Sequence, residues 1–293
     1  DAPEAGTTLS ISISSSENFT DPLISEEVAV SAGTARLSGL APMTDYFLLS
    51  ELKEKEEIIW SETEEFTSGY TSEFVSYAST DEVIISAKLA YIASALAPES
   101  RTVIFMHEFS RTKTSWNASG IMDSLIRDGN LCVAFDFRGH GSSSYGGPVT
   151  DLIDSPWMAR EDFDATLDYL EGRDFGCSGD IIVFGASIGA CVATVASSYP
   201  EIIGGLAASA VEFLSRDMIE DVLIPRGMFY IAGELDKNVT KGIDFGLDAH
   251  SLSEQSIAPT RAVVMEGAME HGVDLFESYP ELIHEAISWV RDL

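Results

Sequence analysis

The groups in this chain that could do covalent chemistry are a serine set between glycines, five histidines and a short acidic loop toward the C-terminal end. Gly185-Ala186-Ser187-Ile188-Gly189 reads G-x-S-x-G, the pattern of a nucleophile elbow, in which a sharp strand-to-helix turn lifts a serine hydroxyl clear of a sheet. Such a turn brings neighbouring backbone so close that only glycine fits two positions before and two after the serine. The run IIVF at 181–184 reads as a buried parallel strand, and the Ala-rich segment after the motif reads as a tightly packed helix. That setting favours chemistry over the plainer reading of a Gly-Ser turn.

A serine hydroxyl is a poor nucleophile near neutral pH and needs a base, usually histidine, itself oriented by a carboxylate. In open parallel sheets such groups collect at the carboxyl ends of strands. His107 closes the strand at 103–106 and His140 lies in RGHG just after another, but both precede the serine in the chain. His250 and His284 fall within helical patterns. His271 stands in EGAMEHGVDLF, a loop after the last expected strand, and is the leading base candidate. The acid is expected between Ser187 and His271, after a different strand. Asp236 is the first choice and Glu234, in the same loop, its rival; on the plainer reading one or both merely cap a helix beginning near Thr240.

These groups need a frame. From about residue 72 strands alternate with helices: strands near 73–78, 83–92, 103–106, 131–137, 181–186, 204–210, 227–233 and 262–267, with helices near 114–128, 156–171 and 273–291. The first two strands are expected to open the sheet as a hairpin, and the alternation calls for a mostly parallel sheet covered by helices on both faces. Residues 1–70 differ in texture. Their short alternating segments at 8–14, 26–32, 45–52 and 58–66, divided by Ser, Gly and Pro, read as half-exposed strands of a small all-β domain.

Composition narrows the classes. Hydrophobic residues make up 45 % of the chain, enough for a sizeable core, and no apolar stretch approaches a membrane span. With 48 acidic against 17 basic residues the net charge is −31, which argues against binding nucleic-acid phosphates or anionic membranes. Three cysteines, Cys132, Cys177 and Cys191, without CxxC deny a disulfide framework and a zinc site. Neither metal nor cofactor is expected. The chain begins at Asp1, and a removed signal peptide would fit; the expected location is extracytoplasmic, secreted or at a cell surface.

Taken in order, His107, AFDFRGHGSSS at 134–144, GASIG at 185–189, the Asp236 loop and His271-Gly272 resemble the α/β-hydrolase superfamily, particularly its carboxylesterase and dienelactone-hydrolase-like members. The resemblance spans 72–293 and implies an α/β-hydrolase catalytic domain over 71–293. It also implies that Ser187 attacks an acyl carbonyl while His271 takes its proton and Asp236 holds the imidazole tautomer. The backbone N–H groups of Ile188 and Phe109 would then form the oxyanion hole. Relatives often read His-Gly where this chain reads His107-Glu108; a side chain at 108 restricts the loop or places a carboxylate at the substrate entrance. His107 and the DFRGHG segment are expected to hold loops rather than do chemistry. Only about a dozen residues, around Glu212 to Arg226, stand where lidded relatives insert more, so the site is expected to be lidless or nearly so, with Tyr145 and Trp157 as a further substrate-binding wall. ARLSGLAPMTDYFLLSELKEKEEIIWSETEEF, residues 35–66, resembles part of a fibronectin type III module, with Leu40, Pro42 and Tyr46 as its tyrosine corner.

The function expected is hydrolysis of a small-molecule or polymer-borne carboxylic ester with a short acyl chain. A serine peptidase or amidase of the same architecture is the first alternative. A binding or adhesion protein working through its fibronectin-like module is the second.

Overall fold

The computed structural model describes residues 7–14, 24–29, 45–54, 57–67 and 69–293, except 174, 176–178 and 220–222. The chain divides into two compact units, Asp1–Tyr70 and Thr71–Leu293. In the first, β1 (Thr7–Ser14), β2 (Ile24–Ala29), β3 (Asp45–Glu54) and β4 (Glu57–Thr67) form an antiparallel sheet in the order β2-β1-β3-β4. The described residues of the four alternating segments fall on these strands. Leu40 and Pro42 of the expected tyrosine corner lie outside the described residues, as does the side chain of Tyr46. Cys177 lies outside them too.

The second unit is built on an eight-stranded sheet. Its strands are β5 (Thr71–Ala78), β6 (Ile84–Tyr91), β7 (Thr102–Met106), β8 (Leu131–Asp136), β9 (Ile181–Ala186), β10 (Ile202–Ala208), β11 (Arg226–Gly233) and β14 (Ile257–Met265). The order is β14-β11-β10-β9-β7-β8-β6-β5. The six strands from β14 to β8 run parallel, and β6 runs against both its neighbours, β8 and the hairpin partner β5. β12 (Lys237–Asn238) and β13 (Ile243–Asp244) form a separate small hairpin.

The central strands are covered on both faces, so their sequences are continuous apolar runs rather than alternating ones: all of β8 and all but the first residue of β9 are buried. The helices are α1 (Ser115–Ala118), α2 (Ile121–Arg127), α3 (Asp151–Asp154), α4 (Trp157–Glu171), α5 (Ile188–Ala196), α6 (Glu212–Asp217), α7 (Phe245–Gln255), α8 (Asp274–Ser278) and α9 (Glu281–Asp292). α5 is buried on every side, and its small residues allow that. α9 instead shows a surface helix's stripe, burying Leu282, Ala286, Ile287 and Val290.

Three expected elements come out differently. The helix expected over 114–128 is two pieces, broken where Gly120 takes φ +71°. The closing helix over 273–291 is interrupted at Tyr279-Pro280, since the residue before a proline avoids the helical region. No helix starts near Thr240. There Asn238 Oδ1 accepts from Thr240 Oγ1 (2.8 Å) and from the Lys241 N–H (3.2 Å), a side-chain turn that folds the segment into the β12–β13 hairpin. The helix begins at Phe245, capped by Asp244, whose side chain accepts from the Leu247 N–H at 3.2 Å.

Candidate active site

Ser187 sits where β9 turns into α5, at φ +54° and ψ −114°. Side chains other than glycine's rarely take that conformation, which costs of order 1–3 kcal/mol. The turn is held from both sides: the Ser187 N–H donates to Ala208 O on β10 (2.9 Å), and Ser187 O accepts from the Cys191 N–H (3.1 Å). The flanking glycines are required by space. A Cβ at 185 would lie 2.0 Å from Gly189 O, and one at 189 would lie 2.5 Å from Met106 O on β7. Ser187 is partly exposed in a cleft that His271 and Asp236 also line.

Asp236 follows β11 and His271 follows β14, adjacent parallel strands, so the two loops meet at the same sheet edge. His271 Nδ1 lies 2.8 Å from Asp236 Oδ2. A carboxylate accepts, so Nδ1 carries the proton and Nε2 keeps a free lone pair, the state a general base needs. Burial pulls the His271 pKa down, but the Asp236 hydrogen bond and the negative charges of Asp236, Glu108 and Asp274 outweigh it, leaving the ring above the ordinary histidine value. Phe245 meets the ring edge-on at 4.7 Å between centroids. Ser187 Oγ makes no hydrogen bond to His271 here. In unliganded enzymes this contact is often open and tightens around substrate.

One member of this network was not foreseen. Ser209, just past β10, donates its hydroxyl to Asp236 Oδ2 (2.8 Å) and accepts the Gly272 N–H on the same oxygen (3.0 Å). It is fully buried with φ +56°. One hydroxyl therefore orients the carboxylate and pins the loop beside His271. The only local signal is a serine closing an apolar strand, which is far too common to single out. The rival acid, Glu234, turns away and accepts the Gly267 N–H through Oε2 at 2.9 Å.

Ile188 opens α5, so its N–H has no intrahelical partner. It lines the cleft together with Phe109. The Phe109 loop is fastened by two imidazoles. His107 Nε2 accepts the Phe137 N–H (3.0 Å), so Nδ1 donates to Glu108 O (2.7 Å); burial pushes its pKa down to about 4, so the ring is neutral at pH 7. His140 Nε2 accepts the Ser110 N–H (3.2 Å) and Nδ1 donates to Arg138 O (3.1 Å). The buried Arg138 is in turn gripped by Asp162 and Asp81, at 2.7 Å each.

The cleft has a volume of about 590 Å³, ordinary for a small-molecule site. Ile153, Val211, Leu214, Ile243 and Phe245 supply an apolar wall, and the stretch Lys237–Lys241 forms its polar lip. The three expected substrate-binding residues lie elsewhere. Tyr145 spends its hydroxyl on Asp151 Oδ2 (2.7 Å) and Trp157 begins α4, so the insertion after β8 reaches the cleft through Ile153 instead. Glu108 does not project into the entrance; it is buried with 5 % exposure against the His271 loop. Among the described residues no cluster of three or more His, Cys, Asp or Glu could hold a metal ion, and no helix is long and apolar enough to cross a membrane.

The family model described as serine aminopeptidase, S33 matches residues 97–256. No curated protein matches the sequence. Among solved structures, an esterase from Pyrococcus furiosus is similar over 76 % of this chain and 93 % of its own, with TM-score 0.59 and 19 % identity. A dienelactone hydrolase from Anabaena variabilis is similar over 76 % of this chain and 98 % of its own, with TM-score 0.57 and 17 % identity. These likenesses show the α/β-hydrolase fold.

Proposed function

This chain belongs to the family described as serine aminopeptidase, S33, and is a serine hydrolase of α/β-hydrolase fold; on that footing we propose that it cleaves carboxylic esters through Ser187, His271 and Asp236. Ser187 Oγ attacks the acyl carbonyl as His271 Nε2 takes its proton. The carbonyl oxygen becomes an oxyanion held by the N–H groups of Ile188 and Phe109. His271 then returns the proton to the departing alkoxide oxygen, leaving an ester on Ser187. Water, activated by the same nitrogen, releases the carboxylic acid and restores the serine. Asp236 keeps the proton on Nδ1 throughout and stabilises the imidazolium as it forms.

The observation that carries an ester over an aminopeptidase substrate is the charge of the cleft. An aminopeptidase must hold a free ammonium, which calls for a carboxylate to pair with it. Asp236 is the sole carboxylate among the lining residues, and it is committed to His271 and Ser209. Of the remaining charges there, Lys237 is paired with Asp244 Oδ2 at 2.7 Å, and Lys241 adds a positive charge that repels an ammonium. The apolar wall of Ile153, Val211 and Leu214 suits a short acyl group, and a protein named as an esterase shares this fold.

Turnover of p-nitrophenyl acetate beside an aminoacyl p-nitroanilide tests the reading. The ester should be cleaved and the anilide left essentially intact, and the reverse preference would reject the ester assignment. Ser187→Ala and His271→Ala should each lower kcat by about 10⁴-fold, because such residues act as a unit. His250→Ala and His284→Ala, on α7 and α9, should not.

A further inference from the structure

Glu108 occupies the turn that carries Phe109, and its side chain is 6 % exposed. Burying a carboxylate is costly unless its charge and lone pairs are answered, so its partners show what it is for. Oε2 accepts the Val273 N–H at 3.3 Å, two residues past His271. The same oxygen lies 1.8 Å from where a Cβ at 272 would stand, so Gly272, at φ +59°, lets backbone and carboxylate close on each other. Arg111 Nε approaches Oε1 to 2.8 Å as a counter-ion, at an angle that leaves Oε1 without a hydrogen bond. Arg111 then reaches Asp274 Oδ1 at 2.6 Å, in the helix that follows the His271 loop. Backbone bonds complete the turn, with Glu108 O accepting from the Arg111 N–H (3.1 Å) and from His107 Nδ1.

We infer that Glu108 is a positioning residue that fastens the loop bearing the Phe109 N–H to the loop bearing His271 and holds a fixed negative charge beside that ring. The inference rests on the proposed roles of Phe109 and His271. A purely structural brace needs no charge: an amide or a backbone turn would hold Val273 without the desolvation cost. The charged groups around the carboxylate are Arg111, His271 and Asp274, with Glu277 acting on Arg111 and Asp236 bonded to the imidazole. Burial raises the Glu108 pKa, with Arg111 and His271 opposing that rise, so the carboxylate and the imidazolium favour one another. The negative charge thus favours the imidazolium that forms during acyl transfer.

Two variants of the full chain separate the brace from the charge. Glu108→Gln keeps an acceptor for Val273 and removes the charge. The His271 titration, followed by NMR of its ring protons, should move to lower pH by roughly half a unit, and kcat should fall about threefold, the equivalent factor. The acidic limb of kcat/KM should move with it. Glu108→Asp keeps the charge but is too short to reach Val273; kcat should fall roughly tenfold with KM little changed, the pattern of a misplaced catalytic group. An unmoved titration and limb in Glu108→Gln, or wild-type turnover in Glu108→Asp, would overturn the inference. If the glutamine variant fails to fold, the aspartate variant decides. The NMR titration needs no hydrolysis, so absence of esterase activity in the wild type would reject the proposed function while this measurement still reported on Glu108.

Discussion

At Ser209 a single hydroxyl serves both the proposed acid and the loop of the proposed base, so its removal should be felt in catalysis. Ser209→Ala strips Asp236 of one hydrogen bond and leaves the Gly272 N–H without its acceptor. A hydrogen bond to a charged group is worth about 1.5–3 kcal/mol, so kcat should fall about tenfold or more while KM stays close to wild type. An unchanged kcat would mean that Asp236 is oriented by His271 alone. The pH profile belongs to this scale as well. As the proposed base His271 must be neutral to act, and although burial lowers its pKa, the Asp236 hydrogen bond and the neighbouring negative charges hold it above the ordinary value. Activity should therefore be full on the alkaline side and fall as pH drops through a midpoint above that of free histidine, read from kcat/KM. The same raised pKa lends the fold stability that is fully present below the unfolded-state value and lost as pH rises through the folded one.

At the scale of elements, the elbow is the feature most dependent on what is absent. Gly185→Ala and Gly189→Ala each place a methyl group within 2.5 Å of backbone oxygen, in a layer where β9, α5 and β7 cannot separate. Each should cost about 3 kcal/mol or more of unfolding free energy, seen as a lower midpoint in urea, and should reduce fluorophosphonate labelling of Ser187. A variant of wild-type stability would show that the turn has room to shift. This turn was legible in the sequence because its constraints fall within five consecutive residues and their flanking runs. The β12–β13 hairpin was not. The preceding strand and the acidic loop suggested a helix beginning near Thr240, and the turn depends on which way one Asn238 side chain folds back.

For the whole molecule the dominant physical quantity is charge: 48 acidic residues against 17 basic give −31. Surface ion pairs such as Arg261–Glu285 and Arg291–Asp128 contribute at most about 1 kcal/mol each, too few to cancel so large an excess. Mutual repulsion should therefore win at low ionic strength. Screening shortens from about 30 Å at 0.01 M salt to about 3 Å at 1 M, so the thermal midpoint should rise by about 5 °C or more over that range. A flat response would mean the carboxylates are too far apart to repel. The amino-acid order alone determined the alternation of strands and helices, the buried parallel sheet and the bend at Ser187, because each is written in neighbours a few positions apart. It also put His271 and Asp236 on loops at strand ends. Only the folded chain decided that Asp236, and not Glu234, meets the imidazole, and that Ser209 joins them. Packing across 165 positions likewise turned Glu108 inward against Val273 and brought Ile153, in place of Tyr145 and Trp157, to the cleft wall. Those outcomes depend on side-chain direction and on contacts between segments remote in sequence, which no local pattern records.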